Sequence, residues 1–258
     1  MANWDSTQYL KFANERTQPS IDLAARIALD APGRIIDLGC GPGNSTAVVA
    51  RRWPAASVTG LDSSPAMLAT AKQDFPAIAW RQGDITDWAR TNAEKFDLIF
   101  SNAALHWVPD HATALPQIFA AVAPGGALAF QVPHSLASAH QTCMRELPAS
   151  PKWRARFPRP PAVWFVEPVG FYYDLFAARA ARVDLWVTDY IYVFDGVAGI
   201  VEWHRGAALR PFLEALPDEA ARAEFLADYL AALTPHYPPQ PNGKVLLPFR
   251  RLFVIAYR

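Results

Sequence analysis

The chain has 258 residues, 52% hydrophobic and 19% charged, enough apolar content at this length to bury a sizeable core and exclude wholesale disorder. Its 24 lysines and arginines balance 24 aspartates and glutamates, which argues against a nucleic-acid partner, since that calls for a basic excess. The two cysteines, Cys40 and Cys143, exclude a disulfide framework and fit a reducing cytoplasm, and no set of His, Cys and carboxylate residues has the spacing of a metal site.

The first residues, Met1 to Pro19, are polar and lack the apolar segment of a secretory signal. No apolar run reaches the roughly 20 residues of a membrane helix. Arg34–Gly39 reads as a buried strand, Gly43–Trp53 as a helix and Ser57–Asp62 as the next strand. Ser64 offers an N-cap and Pro65 a first helical position for a helix running to about Asp74. Ile78–Arg81 is a third strand. Phe96–Phe100 is a fourth, nearly all apolar, as a strand covered on both faces requires. Ala112–Val122 reads as a helix broken by Pro124-Gly125-Gly126, and Ala127–Val132 as a fifth strand. This alternation implies an α/β protein with a parallel, doubly wound sheet.

The second half reads differently. Six prolines fall between Pro148 and Pro168, and Lys152, Arg154, Arg156 and Arg159 crowd into the same stretch, which reads as irregular and surface-lying. Val183–Phe194 is a long aromatic and β-branched strand, Ala198–Leu216 and Asp218–Leu233 are helical, Pro235–Pro241 is a loop, and Leu246–Tyr257 is a closing strand. There is no internal repeat and no linker dividing independent domains.

Asp37-Leu-Gly39-Cys-Gly41-Pro-Gly43-Asn44 follows the first strand and opens a helix, the place for a nucleotide-like cofactor. A dinucleotide fingerprint wants a third glycine where Asn44 stands. Asp37 would also repel a pyrophosphate and suits an amine-bearing cofactor, so a nicotinamide-dependent oxidoreductase is disfavoured. Asp62 ends the second strand, where an acid can accept both ribose hydroxyls. Asp84, in Gly83-Asp84-Ile85, can accept from an adenine amino group. Three acids at neighbouring strand ends line the crevice where open α/β sheets bind ligands. Cys40 reads as a small packing residue rather than a nucleophile.

These residues resemble the class I S-adenosylmethionine-dependent methyltransferases. Asp37–Asn44 resembles that family's first motif, Asp62 its ribose-binding acid and Gly83-Asp84-Ile85 its adenine-contacting motif. Asn102-Ala-Ala-Leu-His-Trp107 resembles its fourth-strand motif and Pro124-Gly125-Gly126 the turn before its fifth strand. The resemblance spans about Ile35 to Pro133. It implies a Rossmann-like seven-stranded, mostly parallel sheet with an antiparallel last strand and a helical acceptor-side insert, Val183–Phe194 and Leu246–Tyr257 being the sixth and seventh strands. It groups the chain as one domain, with a core of about 30–140, 180–195 and 245–258 and an acceptor-side lid of about 141–180 and 196–244. It implies S-adenosyl-L-methionine as cofactor and S-adenosyl-L-homocysteine as product. The cofactor-binding set would be Asp37, Gly39, Cys40, Gly41, Asn44, Asp62, Ser63, Met67, Gly83, Asp84, Ile85, Asn102, Ala103 and His106.

A finer resemblance extends over nearly the whole chain, through Trp4-Asp5, Tyr9-Leu10, Glu15-Arg16, Trp107–His111, Tyr173-Asp174, Leu209-Arg-Pro211 and Arg251-Leu-Phe253, and departs most between Pro148 and Pro168. It is to the branch of that family that forms a monomethyl ester on a carboxylate of trans-aconitate. A carboxylate is ionised at neutral pH and needs no general base, so catalysis would rest on proximity, orientation and removal of water. A tricarboxylate calls for arginine, and the resembling segments supply Arg16, Arg210 and Arg251, with Lys152, Arg154, Arg156 and Arg159 as a second cluster. Trp107 would stabilise the sulfonium and His106 would orient a ligand. Tyr9, Tyr172, Tyr173, Trp203 and Tyr229 would wall the acceptor pocket. The remaining alternatives are another small acid, a phenolic or quinone-like acceptor with His106 as base, and a non-catalytic cofactor-binding subunit. The expected partner is a small-molecule tricarboxylate, with no nucleic acid and no membrane, for a cytoplasmic chain favoured as a monomer.

Overall fold

The computed structural model of the protein describes residues 13–135, 137–161 and 164–258. Tyr9 and the rest of the segment up to Phe12 lie outside the described residues. The seven strands are β1 (Arg34–Leu38), β2 (Ser57–Asp62), β3 (Ala79–Gln82), β4 (Phe96–Asn102), β5 (Val122–Pro133), β6 (Arg182–Phe194) and β7 (Val245–Tyr257). They form one sheet in the order β3-β2-β1-β4-β5-β7-β6. β1 pairs in parallel with β2 and β4, β2 with β3, and β4 with β5, while β7 runs antiparallel to β5. The sheet expected from the sequence is therefore present. Strand order reverses direction at β1, between β2 and β4, which opens a crevice at the carboxyl ends of these strands.

The helices are α1 (Ala13–Arg26), α2 (Asn44–Arg52), α3 (Pro65–Asp74), α4 (Ile85–Thr91), α5 (His111–Ala120), α6 (Ala139–Glu146), α7 (Val169–Ala177), α8 (Val197–Arg205), α9 (Arg210–Glu214) and α10 (Glu219–Leu233). Ser64 caps α3 as expected, its hydroxyl accepting from the Met67 amide at 3.4 Å, with Pro65 in the first turn. Four helices had no sequence signal: α1, which carries Pro19 inside it, and α4, α6 and α7, each too short for a clear periodicity.

Three expectations need correction. Pro124-Gly125-Gly126 does not separate a helix from the fifth strand. The helix ends at Ala120, and the three residues lie inside β5 at a register shift between the Phe96–Val122 and Leu98–Ala127 pairs. The helix expected over Ala198–Leu216 breaks into α8 and α9, with Gly206 ending the first and Pro211, which has no amide donor, in the first turn of the second. The proline-rich stretch after Pro148 is irregular, but it is not simply surface-lying. Trp153 and Phe157 within it are buried. Two of its four cations pair with α10, where Lys152 meets Glu224 at 2.9 Å and Asp228 at 2.6 Å, and Arg156 meets Glu224 at 3.4 Å.

The chain gathers into two units, the division falling within β6 and β7. The first takes the residues up to Pro133, Phe165–Thr188 and Arg251–Arg258. It therefore includes 165–180, a stretch the sequence grouping puts on the acceptor side. Its core packs Ile36, Leu38, Ile99, Leu128 and Phe130 of the sheet with Leu115 and Ile118 of α5 and Tyr172 and Phe176 of α7. The second unit takes His134–Trp164 and Asp189–Arg250. There Trp153 meets Phe225 edge-on at 5.0 Å, and the His140 ring stacks on Phe249 at 5.6 Å and on His204 at 5.0 Å. Among the described residues no helix is long and apolar enough to cross a membrane.

Candidate active site

The turn after β1 shows why its glycines stand where they do. Gly39, Gly41 and Gly43 have φ of 72°, 54° and 94°, the left-handed region that side chains resist. The amides of Gly39 and Cys40 both donate to the Leu61 carbonyl, at 2.7 and 3.0 Å, which ties the turn to β2. A Cβ at Gly39 would stand 2.2 Å from that of Ala104, so only glycine lets the chain after β4 approach. A Cβ at Gly41 would meet nothing within 4 Å, because Gly41 borders an open cleft. A Cβ at Gly43 would meet Phe75 and Trp80 at 2.8 Å. The third glycine thus admits aromatic rings beneath the turn rather than a ligand above it.

The three acids sit in three environments. Asp37 is fully buried behind the turn. Its Oδ2 accepts from the hydroxyls of Ser45 and Thr46, both at 2.7 Å, which ties α2 to β1. Its Oδ1 has no donor among the described residues. Burial pushes this carboxyl up to about 6 against the two hydroxyl bonds, and the charge of Asp62 adds to the rise. Asp62 lines the cleft, and its Oδ2 accepts from the Gly41 amide and Oδ1 from the Ser64 amide, each at 2.8 Å. Burial raises its pKa while these amides oppose the rise. A carboxylate accepts about four hydrogen bonds, so each oxygen keeps acceptor capacity beyond those two. Asp84 caps α4, its Oδ1 accepting from the Thr86 and Asp87 amides at 2.7 and 3.1 Å, and it too lines the cleft.

The wall beyond β4 is a short strained turn. Ala103 has φ 53°, held by a bond from its amide to the Gln131 carbonyl at 3.1 Å. The Asn102 side chain accepts from Gln131 Nε2 at 2.7 Å and donates to the Arg16 carbonyl on α1 at 3.4 Å. Gln131 Oε1 in turn accepts from the Arg251 guanidinium at 3.1 Å.

The cleft therefore brings together Gly39, Cys40, Gly41, Asn44, Asp62, Ser63, Met67, Gly83, Asp84, Ile85, Asn102 and Ala103 of the expected cofactor set. Arg16 and Trp107 of the expected substrate set join them. Asp37 and His106 lie outside its lining. His106 is buried with its ring 4.9 Å from that of Trp107. Burial, then Arg251 and His111, hold its pKa well below the usual histidine range. Arg251 is buried two hydrogen bonds behind Asn102, through Gln131. Tyr172 belongs to the core, where its hydroxyl bonds His111 Nδ1 at 2.8 Å and accepts from the Glu167 amide at 3.1 Å. Since His111 Nε2 faces the Leu105 carbonyl at 2.9 Å, that nitrogen carries the proton and Nδ1 accepts. Tyr173 is 53% exposed on α7. Arg210 lies in the second unit, 2.7 Å from Glu214, and Trp203 and Tyr229 are buried there. Burial and the charges of Asp37 and Asp62 push the Cys40 thiol up, which suits packing and not nucleophilic attack.

Residues the sequence did not single out include Thr17, Pro42 and Ala104 in the lining, and Gln131 behind it. Gln131 carried a signal. It is the polar member of the otherwise apolar run Ala127–Val132, and a buried amide needs partners.

Residues 35–126 match the family model described as a methyltransferase domain. The fold resembles that of the YcgJ protein of Bacillus subtilis, with a TM-score of 0.62 at 15% identity over 93% of this chain and 98% of that one. It also resembles a SAM-dependent methyltransferase from Thiobacillus denitrificans in complex with S-adenosyl-L-homocysteine, with a TM-score of 0.54 at 16% identity over all of both chains. The chain is 46% identical to a trans-aconitate 2-methyltransferase of Azoarcus sp. over the whole of both proteins. It is 48% identical to one of Methylobacterium nodulans, over all of this chain and 99% of the relative. At that identity and coverage, this chain belongs to the trans-aconitate 2-methyltransferase family.

Proposed function

We propose that the chain transfers the methyl group of S-adenosyl-L-methionine to a carboxylate of trans-aconitate, giving a monomethyl ester and S-adenosyl-L-homocysteine. The observation that carries this reading is the full-length similarity to relatives of that name, joined to a cleft at the carboxyl ends of β1, β2, β3 and β4. The residues present fit the cofactor. Gly41 leaves its side of the cleft open, and Asp62 and Asp84 keep carboxylate lone pairs after serving the backbone. Bound there, S-adenosyl-L-methionine supplies an electrophilic methyl group on a sulfonium.

On this reading Asp62 takes the ribose hydroxyls, Asp84 the adenine edge, and Met67 and Ile85 the apolar faces of the base. Arg16 and Trp107 face the reacting end, the guanidinium for an acceptor carboxylate and the ring face for positive charge. No side chain has to take a proton, because the acceptor carboxylate arrives ionised. The chain's contribution is orientation and exclusion of water. The absence of His106 from the cleft lining accords with an acid acceptor rather than a phenol, which would want a base. A formal charge of zero accords with a free small molecule and not a nucleic acid as acceptor.

The test is transfer from labelled S-adenosyl-L-methionine to trans-aconitate, cis-aconitate, citrate, isocitrate and a simple phenol. Selective turnover of trans-aconitate is expected. Cofactor binding with turnover of none of the acids overturns the acceptor assignment.

A further inference from the structure

Four groups of the first unit form a polar chain with a fixed direction. Arg251 can only donate, so the Gln131 oxygen facing it at 3.1 Å is an acceptor. The other end of the Gln131 amide is then its NH2, which donates to Asn102 Oδ1 at 2.7 Å. Asn102 is thereby held with its own NH2 outward. One hydrogen reaches the Arg16 carbonyl at 3.4 Å, and the second belongs to a residue that lines the cleft. Flipping either amide would set donor against donor or acceptor against acceptor. Gln131 is wholly buried and its backbone carbonyl also holds the left-handed Ala103, so both halves of the residue fix the same turn.

We infer that Gln131 is a positioning residue that passes the donor character of Arg251 to Asn102, so that this part of the cleft presents an N–H to a ligand carboxylate. The inference rests on the reading of the cleft as the methyl-transfer site. Two ligands there carry a carboxylate, the amino-acid end of the methyl donor and the acceptor acid.

The experiment is calorimetric binding of S-adenosyl-L-homocysteine, 5′-methylthioadenosine, which lacks the amino-acid carboxylate, and trans-aconitate to the wild type, Gln131→Glu and Asn102→Asp. A glutamate at 131 offers only acceptors, which forces Asn102 to turn its oxygen outward. Asn102→Asp places an acceptor there directly. Both variants should weaken one carboxylate ligand by about tenfold or more, the cost of a hydrogen bond to a charged group. Loss of S-adenosyl-L-homocysteine with methylthioadenosine unchanged assigns the donor's carboxylate. Loss of trans-aconitate alone assigns the acceptor's. Equal loss of S-adenosyl-L-homocysteine and methylthioadenosine, or binding of all three ligands within about twofold of wild type, overturns the inference. If Gln131→Glu does not fold, Gln131→Met, similar in volume and unable to bond, is read against the same ratios. A wild type that binds S-adenosyl-L-homocysteine but never methylates trans-aconitate would sink the proposed acceptor. The ratio of the two nucleoside ligands would still test the relay.

Discussion

The cleft of the first unit and the core of the second bury polar side chains in opposite ways. In the first, Asp62 is bonded by two backbone amides and Asn102 by a glutamine, and both retain hydrogen-bonding capacity on the side that lines the cleft. In the second, His140 is closed off. Its Nε2 faces the Ser138 hydroxyl at 3.0 Å and its Nδ1 the Tyr237 hydroxyl at 3.0 Å, with rings stacked on either face. The Ser138 hydroxyl already donates to the Ser135 carbonyl at 2.6 Å, so it accepts from His140 Nε2–H, and Nδ1 accepts from Tyr237. A site keeps lone pairs and N–H groups in reserve, whereas a core spends them internally. That contrast separates a binding cleft from a polar core when both are lined by titratable residues.

The largest effect should come from removing the acid that serves both loop and ligand. Asp62→Ala takes away the acceptor for Gly41 and Ser64 and the carboxylate facing the cleft. Two bonds to a charged group correspond to about 100-fold or more in affinity for S-adenosyl-L-methionine, measured by calorimetry. Binding within about threefold of wild type would remove the cleft from the cofactor assignment and erase the contrast between the units.

Within the cleft the comparison sharpens between two glycines of one turn. Gly39→Ala combines a positive φ with a 2.2 Å clash against Ala104, and strain plus overpacking should cost about 2–5 kcal/mol. Gly41→Ala has the positive φ but open space, and should cost about 1 kcal/mol. Urea midpoints at neutral pH measure both. Equal losses would mean that the closeness of Ala104 contributes nothing to the choice of glycine at 39.

Much of this was legible in the chain. Apolar strands at regular spacing gave the parallel sheet, and the turn after β1 gave the crevice. The glycines were legible as a set but not individually. Gly43 answers to Phe75 and Trp80, which come from 32 and 37 residues further along, and no local pattern shows that. The Gln131–Arg251 bond spans 120 residues and was invisible for the same reason. The three nominated arginines show the limit of residue type alone. Arg16 lines the cleft, Arg251 is buried behind it, and Arg210 is beside Glu214 in the second unit. The helices of the second unit were only partly legible, because aromatic residues at helical spacing mark a core without saying which elements share it.

The last comparison turns on pH, where burying an acid and burying a base have opposite signs. Asp37 titrates near 6 in the folded chain against an ordinary 3.8, raised chiefly by burial. As pH climbs from 3.8 to 6 the unfolded chain releases this proton first, so stability falls across that window by about 3 kcal/mol and then levels off. His140 titrates near 4 against an ordinary 6.5, lowered by burial. As pH drops from 6.5 to 4 the unfolded chain takes up this proton first, so stability is lost on acidification, again by about 3 kcal/mol. Asp37→Asn keeps an acceptor for Ser45 and Thr46 and removes the first titration. His140→Phe keeps a stacking ring and removes the second. Subtracting the wild-type urea midpoints at each pH cancels every titrating group not coupled to the substituted one; Asp62, coupled to Asp37, stays in the first difference. The Asp37 variant should gain on the wild type as pH rises through the window, and the His140 variant should gain as pH falls. Differences that run parallel, or stay flat in both, would mean that the buried carboxylate and the buried imidazole do not carry these opposite costs.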